Sequence, residues 1–80
     1  MKLPRDVSGE RLARGLARVG YRITRQTGSH IRMTLDDPPQ HLLTIPAHAE
    51  LMPGTLAAVV SLAAQRLQIN KEDLLKALKL

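Results

Sequence analysis

Cysteine, tryptophan and phenylalanine are absent from this 80-residue sequence, and Tyr21 is its one tyrosine. Without cysteine the chain cannot form a disulfide scaffold or a cysteine-ligated zinc module. One tyrosine cannot provide the row of rings on which single-stranded nucleic-acid binders stack bases. The length excludes a multi-domain enzyme, so we expect a single domain over residues 1–80.

The sequence also lacks a long hydrophobic run. Its most apolar stretch, residues 56–64, is interrupted by Ser61, whereas a membrane helix needs about 20 apolar residues. Residues 1–6 lack the apolar run of a signal peptide. Because 44% of all residues are apolar and recur at helical spacing, the chain is not typical of disordered proteins. We expect a soluble, cytoplasmic protein that makes no contact with a membrane.

Acidic residues are scarce in the first half of the chain. Residues 1–35 carry eight cations and two acidic residues, a net charge of +6, whereas residues 36–80 carry four cations and five acidic residues, a net charge of −1. Seven of the first eight cations are arginine, which binds phosphate in a bidentate manner. A solvated surface is the ordinary explanation of such charge, and a polyanionic partner is the functional one.

The first predicted helix spans residues 8–19, with Ser8 as its N-cap and Gly20 as its C-terminal stop. At helical spacing it has two faces. The apolar face consists of Leu12, Leu16 and Val19, and the opposite basic ridge consists of Arg11, Arg14 and Arg18.

Three strands are predicted next, over residues 21–27, 30–35 and 41–45, because polar and apolar residues alternate there. Gly28 and Ser29 form a turn between the first two strands. The five-residue loop over 36–40 contains two prolines, which do not fit a central strand.

The loop length fixes the register of the second hairpin. The predicted pairs are Leu35 with His41, Met33 with Leu43, and Ile31 with Ile45. In the first hairpin a simple two-residue turn would expose Ile23 by pairing it with Thr34. A three-residue connection moves Ile23 opposite an apolar residue, so we expect a β-bulge near Gly28, with Gly28 at positive φ.

Two helices complete the order α-β-β-β-α-α. Pro53 opens the first of them, with Gly54 or Thr55 as its cap, and Asn70 caps a short helix over residues 70–80. That last helix either covers the core of the chain or docks on a partner. The predicted fold class is α+β, with helices packed on a three-stranded antiparallel sheet.

His30 is the residue in this pattern with the chemistry of a catalyst. It follows the Gly28–Ser29 turn and shares a strand face with Arg32. An imidazole that deprotonates a 2′-hydroxyl, beside a guanidinium and turn N–H groups that neutralise phosphate oxygens, is a minimal set for RNA cleavage. Ser29 is placed to orient the imidazole or to bind a phosphate. A polar strand residue beside a loop is the ordinary alternative.

The other two histidines do not complete a metal site. In the predicted register His48 lies at the same end of the sheet as His30, whereas His41 lies roughly 16 Å away, at about 3.3 Å per residue. A site made of His30, His48 and Glu50 has no diagnostic spacing. We expect no metal and no cofactor.

Several segments, taken together, resemble the HicA family of toxins. These are Ser8-Gly9 and Gly20-Tyr21 around the first helix, Gly28-Ser29-His30 at the turn, Ile45-Pro46-Ala47-His48, and Leu51 to Leu56 at the opening of the next helix. They occur in the family's order and spacing over residues 8 to 70. Each motif alone is weak, and four in register are fairly specific.

The resemblance implies a fold similar to the double-stranded RNA-binding domain, with its core over about residues 8–69. It also implies a type II toxin that cleaves mRNA as an endoribonuclease and is neutralised by a HicB-like antitoxin. The catalytic histidine of the family corresponds to His30, assisted by Ser29 and the Gly28 backbone. Many relatives carry a second histidine where this chain has Ile31. The predicted register places Ile31 in the core.

Three functions are therefore weighed. The first is a metal-independent ribonuclease that uses His30 and takes its phosphate contacts from the first-half arginines Arg14, Arg18, Arg22, Arg25 and Arg32. The second is a non-catalytic RNA-binding module with the same basic surface. The third is a DNA-binding helix-turn-helix over residues 56–79. The net charge of −1 over residues 36–80 is unfavourable for binding DNA phosphates, so we expect no DNA binding.

Overall fold

The six helices and strands follow one another in the predicted order. A computed structural model describes residues 2–80 of the chain. The elements are α1 (Gly9–Ala17), β1 (Tyr21–Gln26), β2 (His30–Leu35), β3 (His41–Pro46), α2 (Pro53–Leu67) and α3 (Lys71–Leu78). The α+β class is confirmed, with the arrangement of a double-stranded RNA-binding domain.

The ends of α1 follow from local chemistry. The Ser8 hydroxyl accepts a 3.0 Å hydrogen bond from the Arg11 backbone N–H, which confirms the predicted N-cap. The helix ends at Ala17, two residues before the predicted end, and a turn follows over residues 18–20. Gly20 has a φ of 109°, so the chain reverses there and enters β1.

The sheet is antiparallel with the strand order β1-β2-β3. The predicted register of the second hairpin is confirmed, since Met33 lies opposite Leu43 and Leu35 lies opposite His41. Alternation then puts one set of apolar side chains on the face that the helices cover. The buried members of that set are Ile31, Met33, Leu35, Leu43 and Ile45.

The first hairpin differs from the prediction in two details. The Thr27 N–H donates to the His30 carbonyl oxygen at 2.9 Å, so the connection is a two-residue turn. The bulge lies at Thr24, where the register shifts between Ile23 and Arg25, and Gly28 is not at positive φ. An extra residue within the strand shifts Ile23 opposite an apolar partner, so the turn itself needs no extra residue.

The helix α2 begins at Pro53, as predicted. Its N-cap is Met52, without a side-chain hydrogen bond, and not Gly54 or Thr55, because proline at the first helical position already fixes the start. The helix buries Leu56 and Val60 against the sheet side. Within residues 2–80 no helix has the length and hydropathy needed to cross a bilayer.

The helix α3 covers the core of the chain itself, which decides between the two alternatives for this segment. Leu74 and Leu78 are fully buried, and α3 contacts both α1 and α2. The crossing with α1 is close, because a Cβ on Gly15 would lie 2.9 Å from the Leu78 carbonyl oxygen. Asn70 caps the helix as predicted, since its side-chain oxygen accepts from the Asp73 N–H at 2.8 Å.

Candidate active site

One face of the sheet carries the helices, and the opposite face carries the candidate site. On this open face the β1–β2 hairpin and β3 form a shallow cavity of about 230 Å³. We call it the His30 cavity, and its lining residues are Arg25, Thr27, His30, Arg32 and Thr44. It therefore contains the predicted catalytic histidine and two of the predicted phosphate-binding arginines.

His30 is positioned by the turn that precedes it. It is the first residue of β2, and its Nδ1 atom lies 2.9 Å from the Ser29 hydroxyl oxygen. When the Nδ1–H donates to that hydroxyl, Nε2 is the unprotonated ring nitrogen and can accept a proton. The side chain is exposed, so a polynucleotide can approach it.

Arg25 and Arg32 face each other across the β1–β2 pair. Their juxtaposition follows from the two-residue turn, because Arg25 and Arg32 lie between that turn and the Thr24 bulge. The Thr24 and Thr34 hydroxyls lie 2.9 Å apart beside this pair and join the two strands there. Two guanidinium groups at one cavity form a site for an anion with several oxygen atoms, such as a phosphodiester.

Arg22 shares the open face but does not line the cavity. Its Nε and Nη2 donate to the two carboxylate oxygens of Asp36 at 2.5 and 3.1 Å. The same contacts lower the pKa of Asp36, first through the hydrogen bond and then through the positive charge. The guanidinium is thus held by a carboxylate of its own chain.

Arg14 lies on α1 and Arg18 is the C-cap residue that follows it, both on the helix-covered side of the sheet. Arg14 is 3.7 Å from the Glu10 carboxylate, and Arg18 donates to the Leu78 carbonyl oxygen at 3.1 Å. The structure therefore brings two of the five predicted phosphate-binding arginines to His30 and keeps three apart. A helical wheel groups cations by angle and does not show which acidic groups or carbonyls hold them.

Sequence reasoning missed Thr27 and Thr44, which also line the cavity. The signal for Thr44 was present, because the predicted register already placed it opposite Arg32, as the structure does. Their hydroxyl groups add donors and acceptors beside the two guanidinium groups.

A comparison with known protein families identifies the chain. A family model described as HicA toxin of bacterial toxin–antitoxin matches residues 9–67. The chain belongs to the HicA toxin family. The matched range runs from α1 to the end of α2 and includes the whole His30 cavity, whereas α3 lies outside it. No curated protein and no solved structure matches the chain.

His48 of this HicA toxin lies near the turn but does not line the cavity. Its side chain is exposed, and its carbonyl oxygen accepts a 3.0 Å hydrogen bond from the Gly9 N–H. The neighbouring Ala47 N–H donates to the Ser29 carbonyl oxygen at 2.9 Å. Through its backbone, this segment ties the start of α1 to the turn that carries His30.

His41 has a structural environment at the other end of the sheet. Its Nδ1 lies 2.7 Å from the hydroxyl of the buried Tyr21, and the two rings meet edge to face. Burial raises the pKa of Tyr21, and the charge of Arg66 opposes that rise. Arg66 also donates to the carbonyl oxygens of Asp37 and Pro39, which fixes the loop between β2 and β3.

Glu50 has a carboxylate neighbour. A side-chain hydrogen bond to Asp6, together with the negative charge of Asp6, raises the pKa of Glu50. Across the described residues, no three histidine or acidic side chains converge in a way that would hold a metal ion.

Proposed function

We propose that this HicA toxin is a metal-independent endoribonuclease that cleaves mRNA in the cytoplasm, with His30 as its general base. The observation that supports this proposal is the His30 cavity, where one imidazole lies beside two facing guanidinium groups on an open surface. An imidazole takes up a proton near neutral pH, and guanidinium groups bind the phosphate that reacts.

The proposed reaction is an internal transesterification. His30 removes the proton of a ribose 2′-hydroxyl, and the 2′-oxygen attacks the adjacent phosphorus. The bond from phosphorus to the 5′-oxygen breaks, and that oxygen takes a proton from the imidazolium or from water. The products are one strand with a 2′,3′-cyclic phosphate and one with a 5′-hydroxyl.

Arg25 and Arg32 stabilise the additional negative charge of the pentacoordinate phosphorus. Ser29 holds the imidazole through the 2.9 Å contact with Nδ1. No atom lies within 4 Å of a Cβ built on Gly28, so a phosphate oxygen can reach the Gly28 backbone at the turn. His30 is the one imidazole that lines the cavity, and an imidazole can accept and donate a proton, which assigns it the removal of the 2′-hydroxyl proton.

A HicB-like antitoxin is the proposed inhibitor. The chain belongs to a toxin family of toxin–antitoxin systems, and its candidate site lies on a sheet face that no helix of residues 2–80 covers. A protein bound over this face would exclude RNA from His30. Leu42, which is 54% exposed, gives the face an apolar contact point for such a partner.

The direct test is incubation of the purified protein with a defined RNA in EDTA, beside His30→Ala and a His48→Ala control. We expect the wild type and the control to produce 2′,3′-cyclic phosphate ends, and His30→Ala to produce none while keeping its circular dichroism spectrum. Cleavage by purified His30→Ala would show that His30 is not the catalyst.

A non-catalytic RNA-binding module is the second candidate, because the paired arginines would bind phosphate whether or not His30 transfers a proton. It predicts binding whose log–log salt slope is about −0.9 per phosphate neutralised on a duplex, without products. The helix-turn-helix alternative is disfavoured by the structure. Glu72 and Asp73 occupy the first turn of its second helix, where such a helix would approach the DNA.

A further inference from the structure

A second cavity lies between α1 and the edge strand β1. Its volume is about 340 Å³, and we call it the β1-edge groove. Its lining residues are Glu10, Ala13, Arg14, Ile23, Gln26 and Ile31. The proposed cleavage reaction uses none of them.

The β1-edge groove and the His30 cavity lie on opposite sides of the same part of the hairpin. Arg25 lines the cavity, and the next residue, Gln26, lines the groove. On β2, Ile31 of the groove stands between His30 and Arg32 of the cavity. Successive strand residues point to opposite faces, so the two sites are separated by the thickness of one strand pair.

The free edge of β1 connects the two sites. Within the described part of the chain, the sheet order makes β2 the one strand neighbour of β1, so no strand of residues 2–80 pairs with the outer edge of β1. The β1 residues beyond Tyr21 are exposed. A single strand of RNA can therefore pass around this edge, with a phosphate in the cavity and the next nucleotide at the groove.

The groove has the chemistry of a nucleobase site. Ile23 is 48% exposed and offers apolar surface for the face of a base, whereas Ala13 and Ile31 are buried at the floor of the groove. The Gln26 amide offers a donor and an acceptor side by side, which can pair with a base edge. Arg14 offers a planar guanidinium, a group on which unstacked RNA bases stack.

We propose that the β1-edge groove binds the base of the nucleotide next to the cleaved phosphate and selects the site of cleavage. The inference rests on the proposed ribonuclease function and assigns its sequence preference to Gln26, with Ile23 and Arg14 holding the base. Tyr21, the one tyrosine, is buried, so the groove offers a base no tyrosine ring. A single unstacked base can instead pack on the exposed Ile23 side chain and on the plane of the Arg14 guanidinium.

The first test measures binding alone and is independent of cleavage. The full chain, labelled for NMR, is titrated with a 2′-O-methyl RNA oligonucleotide, which lacks the reacting hydroxyl, and separately with inorganic phosphate. We expect the oligonucleotide to shift the Gln26 side-chain amide and the Ile23 methyl signals, and phosphate to leave both in place. An oligonucleotide that shifts the Arg32 signals and leaves the groove signals unmoved would overturn the proposal.

The second test maps cleavage positions on a random-sequence RNA. Gln26→Leu should lose base preference at one nucleotide beside the cut, by tenfold or more, while total cleavage of a saturating substrate changes less. Gln65→Leu, the same exchange on exposed α2 surface, should keep the wild-type preference. An unchanged preference in Gln26→Leu counts against the groove, whereas an inactive wild type counts against the ribonuclease and leaves the NMR test valid.

Discussion

Arg25 of β1 stands directly opposite Arg32 of β2 in the antiparallel ladder. Like charges in directly opposed positions destabilise a sheet. The two-residue turn, which sets this pair, also brings both guanidinium groups to the cavity of His30. The pair thus has a cost in stability that fits a phosphate site, because natural proteins keep such conflicts where function needs them.

The first prediction concerns this pair. Arg32→Gln should raise the free energy of unfolding by roughly 0.5 kcal/mol, since one of two opposed charges is removed. It should also weaken RNA binding and reduce the salt slope by about one phosphate contact. Denaturant unfolding and salt-dependent binding measure the two effects.

Lys71→Gln is the matched control, since it removes one positive charge at the start of α3. It should leave the salt slope unchanged. If Arg32→Gln destabilised the fold, or if it and the control weakened binding equally, the two guanidinium groups would not form a local anion site.

The second prediction concerns Ser29. Ser29→Ala removes the hydroxyl 2.9 Å from the His30 Nδ1, and a single hydrogen bond contributes about 1 kcal/mol net. We expect kcat to fall roughly fivefold with KM nearly unchanged, because in the proposed mechanism Ser29 positions the base without holding the substrate. Ser29→Thr should restore most of the rate. A change confined to KM would assign Ser29 to phosphate binding.

Much of the fold could be predicted because the local signals agree with one another. Ser8 and Asn70 cap their helices as their residue types indicate. The second hairpin has its predicted register, because the five-residue loop fixes the pairing and that pairing places both Met33 and Leu43 on the apolar face. The consistency of turn length and alternation is what makes such a register readable from sequence.

The rest depended on contacts that no local pattern encodes. With the bulge at Thr24, the Thr24 hydroxyl forms a hydrogen bond with the Thr34 hydroxyl. This contact exists only once the two strands are paired, so the sequence pattern does not reveal it. The carboxylate of Asp36 holds Arg22 across 14 residues of chain. Net charge could therefore indicate a basic half, but not which arginines lie at the site.

The third prediction concerns the contact between α1 and the end of β3. A Cβ on Gly9 would overlap the Pro46 carbonyl oxygen, and the Gly9 N–H already donates to the His48 carbonyl oxygen. Gly9→Ala should destabilise the fold by about 1–3 kcal/mol, as expected for forced overpacking. The added methyl group should displace the end of β3 and thereby loosen the turn at Ser29, because the Ala47 N–H donates a hydrogen bond to the Ser29 carbonyl oxygen.

Gly54→Ala is the control for that substitution. A Cβ on Gly54 meets nothing within 4 Å. The free energy of unfolding of the variant should therefore rise by roughly 0.5–1 kcal/mol, because alanine reduces the entropy of the unfolded chain. Thermal unfolding of the two variants should show a lower Tm for Gly9→Ala and a higher Tm for Gly54→Ala. Equal effects would contradict the close approach at Gly9.

The last prediction concerns Asp6 and Glu50. The raised pKa of Glu50 means that the folded state binds its proton more tightly than the unfolded state, whose value is near 4.5. The favourable contribution is therefore fully present below pH 4.5 and is lost as pH rises through the folded-state pKa. Glu50→Gln should raise Tm at pH 7, and the gain should shrink on acidification and vanish below pH 4.5.

Glu10→Gln is the control, because it removes a carboxylate that lies beside Arg14. It should show no gain in Tm at pH 7. A pH-independent gain in Glu50→Gln would contradict repulsion between the two carboxylates as its cause.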